Sequence, residues 1–160
     1  MSRTVSTAMQ EQLLQSWINM SLVIRGNRMV SGLSFNEMII CRILYEKRNA
    51  GQPAATATEL CQQMQLLKSQ INKLLTTMEG NGLIVRQRSD ADKRKIEIRL
   101  TDHAVRLYET EHARILKILE HVSDHLGAEQ TETLTYLLKE LVNSIRSMPF
   151  SESERNQHER

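Results

Sequence analysis

The segment that decides the fold is 68–100, KSQINKLLTTMEGNGLIVRQRSDADKRKIEIRL. Its first part has apolar residues at i, i+3, i+4 and i+7, the spacing of one helix face, and the run Gly80-Asn81-Gly82 ends that helix. The apolar positions are Ile71, Leu74, Leu75 and Met78. The period then changes to about two residues, which predicts strands at 83–88 and 95–100 joined by a polar turn. The segment therefore predicts a helix followed by a β-hairpin.

Two capping boxes precede this segment. Ser34-Phe35-Asn36-Glu37 opens one helix, which ends near Ala50-Gly51, and Thr56-Ala57-Thr58-Glu59 opens a short second helix. About three residues separate that short helix from the one that begins near Lys68. Two short helices followed by a basic hairpin predict a winged helix-turn-helix within a mainly α fold.

Longer helices are predicted on both sides of this unit. The first should cover about Thr7 to Val30, a second should run from a Thr101 cap to Leu126, and a last one should cover about 129–147. We predict a winged helix-turn-helix domain at 33–100, added N- and C-terminal dimerisation helices at 1–32 and 101–148, and a disordered tail at 149–160. The apolar residues of the dimerisation helices have little sequence left to cover them within one chain. The predicted dimer-interface residues are Leu13, Leu14, Leu134, Leu138, Leu141 and Ile145.

Charge and composition exclude several classes of protein. The net charge is only +2, yet the stretch from Lys68 to Arg99 holds eight basic residues against four acidic ones, as a polyanion-binding face would. No signal peptide or membrane span is evident. Cys41 and Cys61 form neither a metal-type pair nor a disulfide framework, so we expect a cytoplasmic protein. No phosphate loop, nucleophile elbow or paired carboxylates indicate an enzyme, and no cofactor is predicted.

Double-stranded DNA is the partner that this pattern predicts. Gln and Asn can bind an adenine edge, Lys can reach guanine or a phosphate, and a cationic hairpin can follow the phosphates and insert an Arg into the minor groove. Candidate residues of the recognition helix are Lys68, Ser69, Gln70, Asn72, Lys73 and Thr76. Candidate residues of the hairpin wing are Arg86, Arg88, Asp92, Lys93, Arg94 and Lys95. Asp92 would hold Arg94, or another arginine of the wing, in one rotamer. The alternative is an ordinary charged surface.

The same stretch resembles the MarR (multiple antibiotic resistance regulator) family. The recognition-helix run 68–74, Gly82-Leu83-Ile84-Val85-Arg86 and the wing run 90–95 leading into Leu100-Thr101 are similar to that family's pattern, in which an Asp-x-Arg wing leads into Leu-Thr. Ala104 stands where the family commonly has glycine. The resemblance covers roughly Leu13 to Ile145. It implies a triangular homodimer that binds a pseudo-palindromic operator, most simply as a repressor.

The resemblance also implies a sensor, since members often respond to small aromatic or phenolic acids, oxidants or metals. Its effector pocket, between the dimer helices and the DNA-binding lobe, corresponds here to Trp17, Ser21, Met38, Arg42, Tyr108 and His112. A thiol sensor would need Cys41 or Cys61, both at apolar helix positions where a buried, unreactive thiol is expected. A metal sensor would use His112, His121 and His125 with Glu111. A winged-helix module that binds protein rather than DNA is a further alternative.

Overall fold

The structure is a computed structural model and describes residues 6–26, 32–90 and 92–148. Its elements follow the order predicted from the sequence, a mainly helical chain with one β-hairpin. They are α1 (Thr7–Gly26), α2 (Phe35–Asn49), α3 (Ala57–Met64), α4 (Lys68–Gly80), β1 (Ile84–Arg88), β2 (Ile96–Leu100), α5 (Asp102–Leu126) and α6 (Ala128–Ser147). The predicted end of the first helix near Val30 and the predicted tail at 149–160 lie outside the described residues.

Both capping boxes are confirmed. Ser34 Oγ accepts the Glu37 amide at 3.3 Å, and Glu37 Oε2 accepts the Ser34 amide at 2.7 Å. Thr56 and Glu59 repeat the exchange, at 3.3 Å and 2.7 Å. Each box satisfies two backbone N–H groups that a helix start leaves without an intrahelical partner. The starts of α2 and α3 are therefore set by local side-chain chemistry.

The hairpin is antiparallel, with Ile84 paired to Leu100 and Arg88 paired to Ile96. A one-residue bridge extends it, because the Ile98 amide donates to Ala55 O at 2.8 Å. This bridge is not predictable from the sequence, since a single paired residue leaves no alternating pattern. The bridge ties the loop before α3 to the second strand.

An apolar core lies beneath α2, α3, α4 and the hairpin. Its fully buried side chains include Ile40 and Cys41 of α2, Leu60 of α3, Ile71, Leu75 and Met78 of α4, and Ile84 and Ile98 of the strands. Burial of one aliphatic side chain of this size contributes about 1.5–3 kcal/mol. This core fixes α4 against the sheet, which leaves the opposite face of α4 to solvent.

Thr101 joins the hairpin to α5. Its hydroxyl donates to Gly82 O at 2.7 Å and accepts the Ala104 amide at 3.1 Å, which is the cap predicted for this helix. Ala104 itself is fully buried. Its methyl group therefore occupies a packed position at the start of α5.

The chain forms two compact units, one reaching to Leu116 and the other beginning at Lys117. The division predicted from the sequence, a domain at 33–100 with flanking helices, differs from these two units and stays a prediction. None of the helices in the described ranges is both long enough and apolar enough to cross a membrane.

Candidate nucleic-acid interface

The exposed face of α4 holds all six residues predicted for the recognition helix. Ile71, Leu75 and Met78 turn into the core, which directs the polar residues outward by helical geometry. The exposed set is Lys68, Ser69, Gln70, Asn72, Lys73 and Thr76. Two lysines and two amides thus lie together on the first two turns of this helix.

The turn before α4 is held by Gln65 and Gln70. Gln65 is the C-terminal cap of α3. Its backbone is left-handed, with φ 54°, a conformation that residues other than glycine and asparagine seldom adopt. Gln70 Oε1 accepts the Leu67 amide at 3.0 Å and so caps the start of α4. The Gln70 carbonyl is therefore engaged, while its amide NH₂ group can still donate to a base.

Arg86, predicted as a wing contact, lies against α4. Its Nη2 donates to Thr76 Oγ1 at 3.3 Å, and its Nε is 3.3 Å from Glu79 Oε2. The Nε atom is buried. Its distance from Glu79 Oε2 is that of an ion pair, but the angle between the two groups is not that of a hydrogen bond. Arg86 and Thr76 therefore connect the hairpin to the recognition helix.

The hairpin tip is arranged by Asp92. Asp92 Oδ1 accepts the backbone N–H of Arg94 at 3.1 Å, and the Lys95 amide donates to Asp92 O at 2.9 Å. Its position in the sequence predicts that Asp92 holds the guanidinium of Arg94 or of another arginine of the wing. The structure shows it bonded to the backbone of Arg94 instead, because residues two apart in a tight turn bring the carboxylate to the amide. Asp92 thus fixes the turn.

The cations of the tip point to solvent. Lys93 Nζ is 2.9 Å from Asp90 Oδ1 and Lys95 Nζ is 4.0 Å from Asp92 Oδ2, both in exposed pairs. Arg88 and Arg94 are also exposed, and within the described part of the chain neither has an acidic partner. The tip can therefore offer several cations to a polyanion without first breaking a buried pair.

Comparison with known proteins gives the family. A sequence model of the MarR family matches residues 31–95. The homoprotocatechuate degradative operon repressor of Escherichia coli is 30% identical over 103 residues, which cover 64% of this chain. The chain belongs to the MarR family. The match spans 66% of the length of that relative, slightly under two thirds.

Solved structures show the same fold as this MarR-family chain. FabT of Streptococcus pneumoniae, solved in complex with DNA, matches 88% of the chain and 98% of its own, with a TM-score of 0.71 and 20% identity. PcaV of Streptomyces coelicolor, solved with its natural ligand, matches 89% of the chain and 99% of its own, with a TM-score of 0.66 and 19% identity. At these identities the likeness concerns the winged helix-turn-helix fold.

Three of the six residues predicted for an effector pocket of this MarR-family chain, Arg42, Tyr108 and His112, are connected through Tyr108. The Tyr108 ring stacks on His112 with a centroid distance of 5.6 Å, and the ring of Tyr45, which was not predicted from the sequence, is tilted to it at 4.8 Å. Burial raises the pKa of the Tyr108 hydroxyl, and the positive charge of Arg42 opposes that rise. Met38 belongs to the same buried cluster as Tyr108.

The other two predicted pocket residues are on α1. Trp17 is 46% exposed and Ser21 is half-buried. Within the described ranges, no ring contact or ion pair joins either of them to the group around Tyr108. Of the six predicted pocket residues, the structure therefore connects Arg42 of α2 with Tyr108 and His112 of α5.

Glu111 is a buried carboxylate that the sequence analysis considered only as a metal ligand. It is 3% exposed and accepts the Gly32 amide at 3.1 Å, across 79 residues of chain. No local pattern could have predicted this contact. No group of three or more potential metal ligands occurs within the described residues, His112, His121 and His125 included.

Proposed function

We propose that this MarR-family chain is a sequence-specific DNA-binding transcriptional repressor. The observation that carries the proposal is the placement of a cationic hairpin tip beside an exposed, polar recognition face on α4. A winged helix-turn-helix with these two surfaces can contact the two grooves of one duplex. The Escherichia coli relative is named a repressor, and FabT was solved with DNA.

In this proposal each surface has its own task. The first turns of α4 enter the major groove, where Asn72 and the free amide NH₂ of Gln70 contact base edges and Lys68 and Lys73 reach guanine or phosphates. Arg94 enters the minor groove, where the potential is most negative. Arg88, Lys93 and Lys95 contact phosphates.

We also propose that the protein acts as a homodimer. Large apolar side chains lie exposed on α1 and α6 in the single chain, among them Leu13 at 61%, Leu14 at 51%, Leu134 at 42% and Leu138 at 43%. Leu141 and Ile145 are half-buried. A second copy would cover such rows, and a two-fold dimer would bind a pseudo-palindromic operator. A repressor of this kind acts in the cytoplasm with its DNA.

A small aromatic or phenolic acid is the effector that we propose for release from DNA. Arg42 can pair with a carboxylate, and Tyr108 with His112 supplies stacking surface. PcaV was solved with its natural ligand, and the Escherichia coli relative is named for a homoprotocatechuate operon. A thiol sensor at Cys41 is not favoured, since burial raises the pKa of this thiol to about 12.

The first experiment is a titration of the protein against the duplex upstream of its own gene, with a scrambled duplex of equal length as the control. We expect tighter binding to the upstream duplex and a steep linear fall in the logarithm of affinity with the logarithm of salt concentration. Arg94→Ala should remove most of this binding. Equal, weak binding to both duplexes that Arg94→Ala does not change would contradict the proposal and favour a protein-binding module.

A further inference from the structure

A cavity of about 470 Å³ opens beside the C-terminal end of α2. Its lining comes from α2, the loop that follows it, β2 and the start of α5, all before Leu116. None of its lining residues belongs to α4, to the hairpin tip or to the group around Tyr108. Its volume is in the range of pockets that hold small molecules. The proposed function uses no part of it.

The inner wall of this cavity is apolar. Ala55 is fully buried, Ile98 is 2% exposed, Leu44 4% and Leu100 9%. The bridge between Ala55 and Ile98 pairs the backbone amide of Ile98 internally. This wall therefore suits the hydrocarbon part of a ligand.

The rim of the cavity is cationic. Lys47, Arg48 and Arg99 line it, against one carboxylate, Asp102. The side chains of Arg48 and Arg99 are 53% and 54% exposed, so both can reorient toward a ligand. An apolar wall with an excess of cations at its rim is complementary to a molecule that has an apolar body and one anionic end.

The present partners of the two arginines leave donors for such a ligand. Arg48 reaches a single oxygen of Asp102, at 3.5 Å from Nη1 and 3.4 Å from Nη2, and Asp102 is 80% exposed. Arg99 Nη2 donates to Glu97 Oε2 at 2.6 Å. A guanidinium has five N–H donors, and exposed ion pairs are weak, so a bidentate anion can compete for both side chains.

We propose that this cavity binds a small organic anion, with its apolar body on the wall and a carboxylate or phosphate group between Arg48 and Arg99. Lys47 is less available, because its Nζ is 3.3 Å from both Pro53 O and Glu59 Oε1 and its side chain is only 18% exposed. It supports the site by its charge.

An anion bound at Arg99 would affect the wing through Glu97, the present hydrogen-bond partner of Arg99. The nearby Ser89 hydroxyl, and then the hydrogen bond and charge of Arg99, hold the pKa of Glu97 below its ordinary value. Ser89 is buried at the neck of the hairpin, where its amide donates to Lys95 O at 3.0 Å. An anion that draws Arg99 away from Glu97 therefore changes the surroundings of Ser89.

The test is a titration of the full-length ¹⁵N-labelled protein followed by amide chemical shifts. The probes are hexanoate, hexyl phosphate and the neutral hexanamide, at constant ionic strength. We expect saturable shifts at Gly51, Ala55, Ile98 and Ser89 with at least one of the two anions, and none with hexanamide. The anion that binds more tightly identifies the head group as carboxylate or phosphate.

Three variants distinguish binding in this cavity from a general effect of the protein's positive charge. Arg99→Gln and the double variant Arg48→Gln/Arg99→Gln should bind roughly tenfold more weakly or not at all, since a charge-assisted hydrogen bond is lost. Arg106→Gln removes an exposed arginine of α5 outside the cavity and should bind as the unmodified protein does. Equal affinity in Arg99→Gln, or equal shifts with hexanamide, would overturn the proposal. The single variant tests it even if the double variant fails to fold.

Discussion

Arg86 of β1 donates to the Thr76 hydroxyl of α4 at 3.3 Å, with its Nε 3.3 Å from Glu79. This contact joins the first strand of the wing to the recognition helix. Both Arg86 and Thr76 were predicted as DNA contacts from their positions in the sequence. In the structure their side chains are hydrogen-bonded to each other, so this pair connects the two surfaces that we propose for DNA binding.

Replacement of Arg86 should therefore affect stability as well as DNA binding. Arg86→Ala should lower the free energy of unfolding by about 1–2 kcal/mol, because it removes the packed side chain of a half-buried arginine together with its hydrogen bond to Thr76 and its ion pair with Glu79. Urea denaturation measures this. The control is Arg88→Ala, an exposed arginine two residues along the strand, which should leave stability unchanged within about 0.5 kcal/mol. An identical denaturation midpoint for Arg86→Ala and the unmodified protein would contradict the positioning role.

The turn that Asp92 forms predicts a difference between two substitutions. Asp92→Asn keeps an oxygen that can accept the Arg94 amide, and should retain most of the DNA affinity. Asp92→Ala loses the acceptor and should weaken binding, because Arg94 is then presented by a looser turn. Affinity for the upstream duplex at fixed salt is the measurement. If Asp92→Asn binds as weakly as Asp92→Ala, the charge of Asp92 matters rather than the turn.

Arg94→Ala should weaken DNA binding more than any other single change in the wing and should leave the proposed homodimer intact. Its guanidinium is exposed and the predicted dimer residues are on α1 and α6. Sedimentation velocity would report the oligomeric state at the protein concentrations used for binding. Unchanged affinity would remove Arg94 from the interface, and a monomeric variant would show that the wing affects assembly.

Exchange of Gln70 or Asn72 should alter which operator bases are preferred. Loss of one base contact costs on the order of 1–3 kcal/mol of discrimination. Asn72→Ala should change only the base preference. Gln70→Ala should also lower the free energy of unfolding, because the Gln70 side chain accepts the Leu67 amide and so caps α4. Binding to a library of single-base operator variants separates the two outcomes. A uniform loss across all sequences would assign these residues to phosphates instead.

The parts of the fold that the sequence could predict are those specified locally. The boxes at Ser34 and Thr56 use side chains three residues apart, and the hairpin follows from alternation in a single stretch. The recognition face follows from the helical spacing of Ile71, Leu75 and Met78. Each of these needs no knowledge of the rest of the chain.

Contacts that join distant residues were not predictable in this way. The Glu111 carboxylate accepts a hydrogen bond from the amide of Gly32, which lies 79 residues earlier in the chain, and Ala55 pairs with Ile98 in a one-residue bridge. Arg86 had the charge expected of a DNA contact, and only its packed position against Thr76 and Glu79 reveals another role. The sequence supplies chemical type and local spacing, while the partner of a long side chain depends on the tertiary packing.

Cys41 gives a prediction for alkaline pH. Burial, and then the negative charge of Glu37, raises the pKa of this thiol to about 12, so the fold favours its protonated form. A raised pKa in the folded state adds stability below the pKa of the unfolded thiol, and that stability is lost as the pH rises from about 8.5 toward 12. The free energy of unfolding should thus fall more steeply over this range in the unmodified protein than in Cys41→Ala.

Urea denaturation of both proteins at several alkaline pH values measures that difference in slope, with tyrosine and lysine titration common to both. Iodoacetamide labelling at neutral pH is an independent check, because the thiolate is the reactive species. Cys61 is half-buried and should be modified first, while Cys41 should react only after unfolding. Parallel pH profiles for the two proteins, together with rapid labelling of Cys41 in the folded state, would contradict its assignment as a buried, unreactive thiol.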